Sequence, residues 1–140
     1  MSIIGRMDIS SFDDLLQAAR QQAQPQRLLL VFAGATLPEH ATAAQQAHFE
    51  AGESGELAPL MCVDKDPALL TSFDALVAEA VVSGPPWALV FAAALAGRDG
   101  LPPSHAQVDA ALEKLVDAVR SGDVARLIPF DRQGQAVNLG

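Results

Sequence analysis

Two adjacent pairs of charged residues, Asp64-Lys65 and Asp131-Arg132, are the positions whose type and spacing point most directly at chemistry. Each pair follows a short apolar run, 60–63 and 127–130, and so stands just past the carboxyl end of an expected strand, where open α/β sheets keep their ligand sites. An acid beside a cation, presented twice, would hold a small anionic or zwitterionic ligand, with Arg132 suited to a bidentate contact. The competing reading is plainer. Charges mark where a strand meets water, and neighbours along a strand point to opposite sides of the sheet.

The other candidates carry less. Cys62 is the sole cysteine, which excludes an internal disulfide and any CxxC redox or zinc motif. Within Leu60-Met61-Cys62-Val63 it reads as a small buried hydrophobe, because a reactive thiolate needs exposure and a neighbouring cation. A nucleophile pair of Cys62 with His48 lacks an orienting third group. His40, His48 and His105 show no i, i+4 spacing, so no metal site is expected. Gly34, Gly97 and Gly100 follow strands, yet no G-x-G-x-x-G or Walker pattern exists, and no cofactor is expected. Trp87, after Pro85 and Pro86, reads as core.

The elements that must position these residues are punctuated by caps and breakers. Ser10-Ser11-Phe12-Asp13-Asp14 opens a helix, with a hydroxyl cap and carboxylates in the first turn, and Pro25 stops it. The run 28–33 is uninterruptedly apolar, which predicts a strand covered on both faces. Thr42 with Gln45 predicts a capped helix over 43–51, and Asp66-Pro67 predicts the start of another, with Phe73, Leu76, Val77 and Ala80 on its inner face. A third buried strand is expected over 88–95. Ser104 caps a helix with Val108, Ala111, Leu112, Leu115, Val116 and Val119 on one face, closed by Ser121-Gly122. The strand 127–130 contains Pro129, which belongs at a sheet edge, and 136–139 reads as a last hairpin strand.

A repeat organises the chain. Residues 54–65 align without gaps on 121–132, Ser11-Phe12-Asp13-Asp14-Leu15 matches Ser72-Phe73-Asp74-Ala75-Leu76, and Leu30-Val31-Phe32-Ala33 matches Leu89-Val90-Phe91-Ala92, in the same order. A period near 60 residues is too long for a solenoid, so two half-domains, about 8–66 and 69–133, are expected around one core and a pseudo-twofold axis. The expectation is one α/β domain over 1–140, with four to five mostly parallel or mixed strands and about four helices.

Composition limits the partners. A net charge of −8 opposes nucleic acid and anionic membranes. Residues 1–10 lack the apolar stretch of a secretory signal, and the longest apolar run, 87–96, is half the length of a membrane span, so a cytoplasmic protein is expected.

Ser10-Ser11-Phe12-Asp13-Asp14-Leu15-Leu16-Gln17-Ala18-Ala19-Arg20, Pro59-Leu60-Met61-Cys62-Val63-Asp64-Lys65 and Ile128-Pro129-Phe130-Asp131-Arg132-Gln133-Gly134 resemble a family of small bacterial proteins often labelled "ribonucleotide reductase alpha subunit". A catalytic subunit of that enzyme is several times longer and needs a radical cysteine with a redox pair, whereas this chain has Cys62 alone. The resemblance therefore implies no catalytic residues. A second likeness, over 59–73, is to the amino-terminal domain of the enhanced-serine-sensitivity family, which implies an α/β accessory domain. Together these readings predict a non-catalytic accessory or regulatory domain that pairs with itself as a homodimer or with another protein. The alternative is a small-molecule binding protein or minor enzyme using Asp64, Lys65, Asp131 and Arg132 between the half-repeats.

Overall fold

The apolar run at 28–33 forms the middle of strand β1 (Gln26–Thr36) in a computed structural model that describes residues 9–36, 56–83, 87–124 and 126–137. Around it lie α1 (Phe12–Arg20), β2 (Glu56–Lys65), α2 (Phe73–Ser83), β3 (Leu89–Ala96), α3 (His105–Ser121) and β4 (Ile128–Phe130). The strands form one sheet in the order β2-β1-β3-β4. Leu28 through Ala33 are fully buried because both faces of the sheet are covered. On one face Leu28, Leu30 and Phe32 meet α1 and α2, and on the other Leu29, Val31 and Ala33 meet α3.

The expected strand directions are corrected. All three pairings, β1 with β2, β1 with β3 and β3 with β4, are antiparallel. Helices between strands suggest parallel crossovers only when each helix returns the chain alongside the strands it joins. α3 connects β3 to β4 yet packs chiefly across β2 and β1. Three helices rather than about four stand among the described residues, and the expected helix 43–51 lies outside them. The helix expected to start at Asp66-Pro67 starts instead at Phe73. Asp66 turns the chain once, its carbonyl accepting from Leu69 and Leu70 N–H, and the Ser72 hydroxyl then caps α2 by accepting from Ala75 N–H. The expected strand 136–139 is reduced to single bridges from Gln135 to Ser11 and from Ala136 to Phe130, with 138–140 outside the described residues.

Pro129 and Pro59 both sit in edge strands, where a missing N–H costs no central ladder bond. The outer side of β4 is occupied, since the Pro129 carbonyl accepts from Val137 N–H at 2.9 Å. In β2 the register slips opposite Phe32 and Ala33, leaving Leu60 as an extra residue. Leu60 and Met61 consequently both lie against the α1–α2 face. Gly34 accommodates the bulge, because a β-carbon there would come within 3.2 Å of the Leu60 side chain.

The pairing register has a twofold pattern. Val31 lies opposite Phe91; Leu30 pairs with Val63 as Val90 pairs with Phe130, and Phe32 with Met61 as Ala92 with Ile128. Places correspond at a spacing of 60 between β1 and β3. The sequence match of Leu30-Val31-Phe32-Ala33 with Leu89-Val90-Phe91-Ala92 has a spacing of 59, and one residue reverses every side chain. Leu30 faces α1 and α2 whereas Leu89 faces α3, so these four residues do not occupy corresponding places. Phe12 and Phe73, from the matched helix starts, do meet, with ring centroids 5.2 Å apart.

Phe12 is also 5.4 Å from Phe130, edge to face, and its amide donates to the Gly134 carbonyl at 2.7 Å. Replacing Phe12 by alanine removes a fully buried ring at the junction of α1, α2 and β4. We expect Phe12→Ala to cost about 3–5 kcal/mol in urea unfolding; a loss below about 1 kcal/mol would contradict this packing. At the start of α1, Ser11 and Asp14 form a capping box, and hydrogen bonds from the Ser10 hydroxyl, the Ser10 amide and Ser11 hold the Asp14 carboxyl below its ordinary value near 3.8. A folded-state pKa below the unfolded one contributes stability above the unfolded value and loses it as pH falls through the folded value. Asp14→Asn should therefore make the acid side of a stability–pH curve shallower, and an unchanged acid limb would reject the assignment.

Candidate functional site

The four charged residues singled out by sequence are not brought together. β2 and β4 are the two edges of the sheet and run in opposite directions, so Asp64-Lys65 and Asp131-Arg132 lie at opposite ends as well. Strand spacing and rise put the pairs roughly 20 Å apart, beyond the reach of one small ligand. Each charge also has a partner. The Arg27 Nε donates to the Asp64 carboxylate at 2.6 Å across the β1–β2 ladder, with side chains about one-third exposed at 35% and 33%. Lys65 pairs with Glu79 of α2 on the opposite face. The Asp131 Oδ1 accepts from the amides of Gln133 at 2.9 Å and Gln135 at 3.0 Å, which shapes the turn after β4. The Arg132 guanidinium lies 5.9 Å from the centre of the Trp87 ring.

Cys62 is exposed, contrary to its reading as a buried hydrophobe. Its strand is an edge, and its side chain enters a groove against α3 lined by Leu112 and Val116, the carboxylates of Asp109, Glu113 and Asp117, and the guanidinium of Arg120, which pairs with Asp117 at 3.2 Å. The apolar run 60–63 suggested that Cys62 is buried, but it stands in an edge strand at the groove beside α3 and stays exposed. His40 and His48 lie outside the described residues, and His105 is exposed at the start of α3. Gly97 and Gly100 belong to a tight turn closed by reciprocal hydrogen bonds between Arg98 and Leu101, with Asp99 and Gly100 both at positive φ. No group of three or more metal-ligating side chains is found among the described residues.

The concavity best suited to a ligand lies between β2 and α2. A cleft of about 510 Å³ is lined by Phe32, Met61 and Val63 from the sheet and by Leu76 and Ala80 from the helix. The Lys65–Glu79 pair stands at the same cleft. Alternation along β2 carries Met61, Val63 and Lys65 to this side, after the bulge has reset the phase. Leu76 and Ala80 of the helical stripe supply the facing wall, and the small alanine leaves space. Phe32 forms the floor, locked by an edge-to-face contact with Trp87 at 5.0 Å.

Of the cleft residues, Lys65 alone is a site candidate on sequence grounds. One signal was available. The ungapped match of 54–65 with 121–132 sets Val63 against Phe130, a smaller side chain where the other strand carries an aromatic ring.

Because Cys62 is exposed in a groove whose described lining carries three carboxylates against the one guanidinium of Arg120, neutral iodoacetamide should alkylate the native protein fully without denaturant, and an anionic disulfide reagent should react more slowly at low salt than at high salt. A requirement for denaturant would show a buried thiol. Comparison with known proteins gives no match to a family model, to a curated protein or to a solved structure.

Proposed function

We propose that this chain is a non-catalytic, cytoplasmic accessory domain that works by binding, and that its binding site is the cleft between β2 and α2. The observation that carries the reading is the cleft itself: about 510 Å³ of largely apolar space with the Lys65–Glu79 ion pair at its border. Ligand pockets have this size and make-up, with an apolar lining for affinity and few polar groups for orientation. The chemistry of the lining supports binding over turnover. Lys65 and Glu79 neutralise each other, and the other described residues of the cleft present hydrocarbon, aromatic ring or thioether. No helix among the described residues is long and apolar enough to cross a membrane. The likeness to small accessory domains points the same way, and residues 8–66 and 69–133 are on this reading two copies of one unit, of which the first keeps an open cleft.

A thermal-shift screen against small amphipathic metabolites, run beside Val63→Phe, tests the reading. Ligands should raise the melting temperature of the parent protein and not of the variant, and mass spectrometry should return each ligand unchanged. Hits that persist in Val63→Phe would place the site elsewhere, and a chemically altered ligand would overturn the non-catalytic assignment.

A further inference from the structure

The cleft has a built-in comparison. The corner between β4 and α1 occupies the same place in the twofold register as the corner between β2 and α2. In the β4 corner, Ile128 and Phe130 are buried and the Phe130 ring packs against Phe12 at 5.4 Å. In the β2 corner, the corresponding residues are Met61 and Val63, each only partly buried, and the cleft remains. The architecture therefore closes such a corner when an aromatic ring stands at the place of Val63. The opening follows from the residues placed there.

The polar border gives the cleft a direction. The Lys65 side chain is 27% exposed and that of Glu79 56% exposed, so the lysine is the more enclosed partner. A ligand carboxylate can take the place of Glu79, which then turns into water at little desolvation cost. A ligand cation would instead have to strand the Lys65 ammonium beside an apolar wall, where an unpaired charge is expensive.

We propose that the cleft binds an amphipathic monocarboxylate, with its alkyl or aryl body against Met61, Val63 and Leu76 and its carboxylate on Lys65. This assignment rests on the reading of the cleft as the binding site and adds the charge class of the ligand. Phe32 links the bound molecule to Trp87, the only tryptophan of the chain, so occupancy changes the intrinsic fluorescence.

The test uses the full chain with decanoate, decanol and decyltrimethylammonium as probes, followed by Trp87 fluorescence and by calorimetry. Decanoate should bind most tightly, and Lys65→Gln should weaken it about tenfold or more while leaving decanol unchanged, as expected for loss of a charge-assisted contact. Val63→Phe and, independently, Ala80→Leu should fill the cleft and abolish binding of decanoate, with circular dichroism and urea unfolding confirming that at least one variant is folded. Equal affinity for decanoate and decanol, or no response to Lys65→Gln, would overturn the charge class and leave the cleft in place. Undiminished decanoate binding in a folded filled variant, or no binding of any probe, would overturn the cleft as well.

Discussion

Burial of β1 on both faces is the constraint on which the other elements depend. A strand with six consecutive apolar side chains needs a neighbour on each side for its backbone and a helical layer on each face for its side chains. β2 and β3 supply the first, α1 with α2 and then α3 supply the second. The two layers are unequal. The α1–α2 side is tied together by aromatic contacts running from Phe130 through Phe12, Phe73 and Trp87 to Phe32, which reach from one edge strand to β1. The α3 side is aliphatic apart from Phe91.

Charged residues follow this apolar plan. Arg27–Asp64 spans neighbouring strands, Lys65–Glu79 joins a strand to a helix, and Arg20 donates to the Pro67 and Leu70 carbonyls of the turn that precedes α2. Exposed pairs of this kind contribute about 1 kcal/mol or less each. Their value lies in fixing where partly exposed strand ends and turns sit, and in leaving one cation close to an apolar cleft.

What was legible in the sequence was local. Ser11, Ser104 and Gly122 marked helix ends that the structure keeps, and the stripe on α3 packs as its spacing requires. The uninterrupted run at 28–33 correctly signalled two covered faces, but covering says nothing about direction, and the expectation of mostly parallel or mixed strands fails against a wholly antiparallel sheet. Direction depends on where α3 lands, which is decided by packing against β1 and β2 far along the chain. The Asp66-Pro67 signal failed because a good cap can close a single turn, and Ser72 offered a second cap next to the stripe that is actually buried. Lys65 was visible as a candidate, whereas its partner Glu79 and the wall formed by Leu76 and Ala80 depend on the approach of α2 to β2, which no local pattern encodes.

The pairing of β1 with β3 joins residues 56 to 70 positions apart, from Ala33 with Leu89 to Gln26 with Ala96. A chain leaving the ribosome therefore exposes its most apolar segment well before the strand that shields one side of it has been made. A stretch such as Leu28 to Ala33, without charge or proline, is the kind that associates between chains when left unpaired. Early capture by β2, the nearer partner in sequence, would shorten that interval, and the length of the β1–β2 connection thus becomes a determinant of how safely the protein is synthesised.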